Sequence, residues 1–233
     1  MKLTDEELAR RIITSIIEAS VTEGHIKEFL EKVDGIPFYG IAVDLPFLSI
    51  SADLLKNTDT KLVTISSYPL GGMTTEVKVK QVEFARKYGA DAIDVGINCN
   101  AAKSGDFKTV EDDVRKVVNA AGDREVVMCT QLGILTNQEK IKVCQAILNG
   151  GSKAIKTNSG MVGLHTDIED VELIKREFGD ELIIEASSGI RTREQALAML
   201  EAGADIIHTS TPFKMSENWK EVNFYEIVGL GKK

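Results

Sequence analysis

Lys156 stands in the stretch Ala154-Ile155-Lys156-Thr157-Asn158, where a charge interrupts an apolar run. A lysine withdrawn from water can lose its proton and attack a carbonyl carbon as a neutral amine, forming a covalent imine. The loop that follows, Asn158-Ser159-Gly160, suits hydrogen bonding and close approach of a ligand. Other ionisable residues interrupt apolar runs in the same way. They are Glu18 in IIEAS, Asp44 in GIAVDLP, Asp94 in AIDVGIN, Glu185 in IIEASSG and His208 in DIIHTSTP. Burying such a group is costly unless it is paired or functional. One of them is weak evidence, because a strand's register can turn its charge outward. Several on separate runs are a stronger signal. From position alone Lys156 has two equal readings, a Schiff-base nucleophile or an ammonium paired with Asp94 or Glu185 for structure.

A second chemistry is anion binding. Ser187-Ser188-Gly189-Ile190-Arg191-Thr192 joins an apolar run to a helical pattern. Backbone N–H groups at such a turn, together with the helix N-terminus, favour a phosphate. His208-Thr209-Ser210-Thr211 would supply the other half of the cradle, where His208 meets a phosphate or fills its space. His25, in VTEGHIKEFL, reads as a surface helix residue, and His165, in GLHTD, as a loop residue edging the site. With three histidines, widely spread and without ligand spacing, no metal site is expected. Cys99, Cys129 and Cys144 read as core thiols, not as a disulfide framework. Trp219, in ENWKEVNFYEIVGL, is expected to pack a final short helix.

These residues need a scaffold that gathers them. Eight apolar, β-branched runs recur, at residues 12–18, 38–44, 61–67, 92–98, 126–131, 154–158, 182–186 and 206–210. Most are followed by an amphipathic stretch. Helical patterns are legible over residues 77–88 after Thr74, from Thr192 through REQALAML, and from Asp167 through IEDVELIKREF, closing at Gly89, near Gly203 and at Gly179. Strands alternating with helices imply parallel pairing. Eight such units favour one (β/α)8 TIM barrel over residues 1–233, with its site at the C-terminal ends of the strands.

Of the 233 residues, 43% are hydrophobic and 27% charged, and the net charge is −8. An acidic surface disfavours nucleic acid and anionic membranes as partners without forbidding a local anion site. No apolar run reaches the ~18 residues that a membrane-spanning helix needs. The start, MKLTDEELARR, lacks an apolar signal segment. A cytoplasmic, reduced protein is expected.

The segments VTISSYPLGGMTTEVKVKQVEFARKYGADAIDVGINCNAAKSGDF, KAIKTNSG and SSGIRTREQALAMLEAGAD resemble the deoxyribose-phosphate aldolases, and the wider similarity runs from IIEASVTEGHI to IIHTSTP. The resemblance implies a (β/α)8 barrel with class I, metal-free chemistry and no cofactor beyond the covalent imine. It also implies reversible cleavage of 2-deoxyribose 5-phosphate to glyceraldehyde 3-phosphate and acetaldehyde, and a homodimer or higher homo-oligomer. By motif, Lys156 matches the family's Schiff-base lysine and Asp94 an aspartate of its proton relay. Glu18 falls on an aspartate of its first strand, and Gly160, Gly189 and Ser210 fall among phosphate-cradling positions. Thr157, Ser188, Arg191, His208 and Thr209 complete the expected substrate-binding set.

Four departures stand out. Glu185 and Glu125 occupy positions where the family has lysines, and Ser188 and His208 replace glycines. A lysine beside Lys156 would lower its pKa, whereas a carboxylate there raises it. Taking about one unit each way, the swap costs on the order of 2.7 kcal/mol in forming the neutral amine. Glu185 also reads as a general acid/base. The expected catalytic set is therefore Lys156, Asp94, Glu185, Glu18 and Glu125. Three functions remain open: the family's own reaction, imine chemistry on a different substrate, and a barrel without catalysis that binds small molecules.

Overall fold

The computed structural model describes residues 2–219, 222 and 224–229. Its strands are β1 (Ile12–Ile16), β2 (Gly40–Val43), β3 (Lys61–Ser66), β4 (Ala92–Gly96), β5 (Glu125–Cys129), β6 (Ala154–Lys156), β7 (Ile183–Ser187) and β8 (Ile206–Thr209). Each pairs in parallel with the next, and β8 closes onto β1 through Ile12 opposite Ile207 and Ile13 opposite His208. All eight expected runs become strands of one closed barrel. Most of the strands stop before their apolar runs do, because burial outlasts the hydrogen-bonded ladder: Ile97, Thr157 and Asn158 are fully buried just beyond β4 and β6.

The two-residue period of a strand sorts its side chains into two environments. Ile12, Ile41, Leu62, Ile93, Val126, Ile155, Ile184 and Ile207 belong to the main core beneath the surrounding helices. Ile13, Ala42, Val63, Ala92 and Ile206 form a separate small cluster inside the barrel. Two residues further along their strands, Asp94, Lys156, Glu185 and His208 have the same parity as this inner set. That parity is why the interrupting charges share one space.

The three expected helices form at Thr75–Lys87, Ile168–Phe178 and Arg193–Glu201. Thr192 caps the last of these by accepting from Gln195 N at 3.3 Å, and the Gln195 side chain accepts from Thr192 N at 3.2 Å. Such a box is worth about 1 kcal/mol and fixes where the β7 loop ends. His25 sits in the first turn of the helix Glu23–Val33, where its Nδ1 accepts from Thr22 N. The three cysteines are free and buried. Trp219 packs edge-on against Phe38, with ring centroids 5.4 Å apart.

A buried ion pair anchors the site end of β4. Lys78, fully buried in Thr75–Lys87, donates to Asp113 at 2.7 Å and to the Gly96 carbonyl at 2.8 Å. The loop after β3 is pressed onto the same strand end. Gly71 has φ +66°, and a Cβ there would lie 1.7 Å from the Ile97 carbonyl oxygen, so no other residue fits. This loop carries the cis Tyr68–Pro69 bond and lays Tyr68 over the barrel mouth.

Candidate active site

The C-terminal ends of the strands surround a cavity of about 740 Å³. Lys156 and His208 form part of its floor, and Glu18, Asp44, Tyr68 and His165 stand around it. Lys156 is 2% exposed and its Nζ donates to Asp94 Oδ2 at 2.8 Å. Nζ lies 2.7 Å from His208 Nδ1 and 3.2 Å from Glu185 Oε1. The same Nδ1 is 2.7 Å from Glu185 Oε1 and 3.8 Å from Asp94 Oδ2. Three ionisable groups, from β4, β7 and β8, thus meet at the one amine that β6 supplies. Asp94 and Glu185 do not line the mouth cavity; they border a small void on its far side, toward the barrel bottom.

The electrostatics follow from burial and mutual charge. Burial, then the negative charge of Glu185, pushes the Asp94 carboxyl up to about 6 despite the neighbouring ammonium. Burial likewise raises Glu185 against the pull of Lys156. For Lys156 burial alone would favour the neutral amine, but Asp94 and Glu185 outweigh it and hold the ammonium above the ordinary lysine range. Burial and the Lys156 charge drive His208 down to about 3, so its imidazole is neutral.

Asp94, Glu185 and His208 each offer a donor atom, all within 4.8 Å of one another, a spacing that a cation can use. The Lys156 ammonium already sits within 3.2 Å of all three groups. A metal ion would have to displace the amine.

Glu125 and Thr157 stand away from the cavity, while Glu18 and His208 border it. Glu125 begins β5 at the opposite end of the barrel, where it binds Lys61 at 2.6 Å, and Lys61 in turn reaches the Tyr39 hydroxyl. Glu125 was expected from the resemblance alone, and as the first residue of β5 it sits at the end opposite the site. Glu18 lies beyond β1, exposed at the rim, with its carboxylate accepting from Ala19 N. Thr157 has the outward parity and is absent from the cavity lining. Its hydroxyl instead bonds Thr166 at 2.6 Å and pins β6 to the Ser187 backbone. His208 faces the nucleophile, not a loop cradle.

The remaining candidates do gather. Gly160, Ser188, Gly189, Arg191, Thr209 and Ser210 all line the cavity. Ser188 and Gly189 both have positive φ, at 87° and 83°. A Cβ on Gly189 would lie 2.8 Å from His165 Nδ1. Arg191 is exposed at the rim and its guanidinium has no ion-pair partner among the described residues. Two contributors escaped the sequence reading. Tyr68 places its ring 5.7 Å from Lys156 Nζ, and burial raises its phenol well above the usual range. Gln131 ties the β3 loop to the β6 loop, donating to Pro69 O at 2.6 Å and accepting from Ser159 N at 3.2 Å. A tyrosine before a proline, just past an apolar run, was the only available hint of Tyr68.

No family model matches the chain. The deoxyribose-phosphate aldolase of Streptococcus uberis is 36% identical over 201 residues, covering 86% of this chain and 91% of its own. That of Thermococcus kodakarensis is 34% identical over 219 residues, covering 92% and 98%. Among solved structures, "QR15, an Aldolase" superposes with a TM-score of 0.87 at 26% identity, over 92% of this chain and 96% of its own. A (β/α)8 barrel with these relatives is an aldolase, a carbon–carbon lyase. The chain belongs to the deoxyribose-phosphate aldolase family.

Proposed function

We propose that the protein is a class I, metal-free aldolase that cleaves 2-deoxyribose 5-phosphate, or a closely related phosphorylated sugar, through an imine on Lys156. The observation that carries this reading is one buried lysine amine, on the floor of the mouth cavity, held by carboxylates from two other strands. The names of the curated relatives supply the substrate to test first.

The chemistry runs as follows. The neutral Lys156 amine adds to the sugar's carbonyl carbon, the carbinolamine loses water, and the iminium draws electrons from the C–C bond two carbons away as a base takes the adjacent hydroxyl proton. Asp94 supports this cycle from beneath the amine. Its Oδ2 holds Nζ in place, while its Oδ1 has no hydrogen-bond partner among the described residues and is buried, leaving one acceptor free. The positive-φ turn at Ser188–Gly189 and the exposed Arg191 suit the phosphate at the cavity's other edge.

A second reading keeps the imine and changes the substrate, and the altered β8 end favours it, since His208 fills space beside the amine. Incubation with deoxyribose 5-phosphate and borohydride, followed by peptide mass spectrometry, separates the readings. A reduced adduct on Lys156 together with release of glyceraldehyde 3-phosphate is the expected result. An adduct with acetaldehyde but no turnover of the sugar phosphate favours the second reading. Absence of any adduct on Lys156 with aldehydes or ketones sinks both.

A further inference from the structure

We infer that His208 is the proton relay of this active site: its Nδ1 takes a proton from the Lys156 ammonium and hands it to Glu185, and later returns it toward the substrate. The inference rests on the imine chemistry proposed above and assigns the step that chemistry leaves unexplained, how a lysine held protonated becomes a nucleophile.

The geometry sets a proton-counting problem. Nδ1 lies 2.7 Å from Lys156 Nζ and 2.7 Å from Glu185 Oε1. A neutral imidazole nitrogen in the ring plane either accepts one hydrogen bond or donates one. If Nδ1 accepts from the ammonium, its lone pair is spent and an ionised Glu185 oxygen faces it without a proton between them. If Nδ1–H donates to Glu185, the ammonium faces a hydrogen. The three atoms form a triangle with Nζ 3.2 Å from Oε1, and the two short contacts are served in turn by one proton that moves along the bent line Nζ, Nδ1, Oε1.

Transfer along that line is balanced. An Nζ–H bond breaks as an Nδ1–H bond forms. That same Nδ1–H then breaks as an Oε1–H bond forms. The ion pair of ammonium and carboxylate becomes a neutral amine and a carboxylic acid, with no charge created or lost. Among buried side chains this neutral arrangement avoids two desolvated charges. On the return leg Glu185 gives the proton back to Nδ1, and His208 passes it to the carbinolamine hydroxyl, which leaves as water.

Position favours His208 for this task over the carboxylate acting alone. Glu185 lies below the cavity floor, whereas His208 forms part of that floor. Glu185 therefore touches the amine nitrogen, at 3.2 Å, whereas His208 also borders the space that a bound carbonyl compound fills. The groups that face His208 are Lys156 from β6, Glu185 from β7 and Asp94 from β4, and Asp44, Glu18 and His165 share the cavity above it. Burial makes the raised Glu185 carboxyl a better proton acceptor, while the raised Lys156 ammonium opposes the first transfer. An imidazole lowered to about 3 passes the proton on instead of keeping it.

The test uses His208→Asn, whose amide oxygen stands near the former Nδ1 and accepts a hydrogen bond but cannot carry a proton. The measurement is the single-turnover rate of imine formation with acetaldehyde at Lys156, trapped by borohydride, from pH 6 to 10. A 10²- to 10⁴-fold slower rate at pH 7 is expected, the usual worth of a positioned proton-transfer group. The deficit should shrink as pH rises and bulk hydroxide removes the ammonium proton. His208→Ala should regain rate in proportion to added imidazole, while thermal melts show that both variants are folded. A His208→Asn rate and pH profile equal to wild type overturns the relay. So does a loss that is the same at every pH and insensitive to imidazole, the signature of packing alone. If the wild-type enzyme forms no adduct, the imine reading falls and takes the relay with it. A wild-type adduct with an unaffected variant removes the relay only.

Discussion

Replacing Glu185 with Gln separates the two roles that this carboxylate combines. Its Oε1 lies 3.2 Å from Lys156 Nζ with both side chains buried. For two full charges at that distance the attraction is on the order of 5 kcal/mol at an effective dielectric of about 20. The realised effect is smaller, because burial raises Glu185 and works against its charged form. An opposite charge this close ordinarily moves a pKa by about one to three units. Glu185→Gln should therefore lower the Lys156 pKa by that amount and raise the neutral-amine fraction at pH 7 by about ten- to a thousandfold. A ¹³Cε chemical-shift titration, assigned by comparison with Lys156→Arg, measures it directly. Turnover should nonetheless fall, by roughly 10²- to 10⁴-fold, because the acceptor behind His208 is gone. More neutral amine with slower turnover is the distinguishing outcome. An unchanged or raised Lys156 pKa would refute the electrostatic account. A variant that turned over faster than wild type would show that Glu185 only restrains the ammonium.

Three other expectations follow from the same contacts. Asp94 titrates at about 6, so kcat/KM should decline below that pH, and the acid limb should be displaced or lost in Asp94→Asn, which pH–rate profiles will reveal. Lys156→Met leaves Asp94 and Glu185 without their cation, raising both folded-state pKa values further above the unfolded ones. The folded form then binds more protons than the unfolded form across that interval, so stability falls as pH rises through it, and chemical denaturation should find the variant more stable at pH 5 than at pH 8. Outside the site, Lys78→Ala strands the buried Asp113 carboxylate and should cost about 3–5 kcal/mol, seen as a lower denaturation midpoint.

Much of the fold was legible because strand and helix periods are local. Each apolar run is long enough to show β-branched character, and each helix announces itself with a cap such as Thr192 or a terminal glycine such as Gly179. Lys156, Asp94 and Glu185 were legible as misfits, charges whose burial an apolar strand would not tolerate without a partner. Glu125 came from the resemblance alone, and it serves the barrel bottom, because the first residue of a strand sits at the end opposite the site. Thr157 misled for a related reason: its neighbour faces inward, so it must face out. Tyr68 and Gln131 carry no charge and lie in loops, where side-chain direction depends on contacts with distant strands.

The sequence by itself determined that eight β/α units follow one another, that their charges fall at strand positions, and that Lys156 meets a carboxylate where a second cation was expected from the resemblance. Only barrel closure decided which of those charges touch. Closing β8 onto β1 and staggering the strands brings His208 within 2.7 Å of both Lys156 and Glu185, residues that lie 52 and 23 positions away along the chain. The inward parity is local, but the height of each side chain along the barrel axis is set by the register of every pairing around the ring. That is why Lys156, Glu185 and His208 could each be singled out in the chain, while the contacts among them could not.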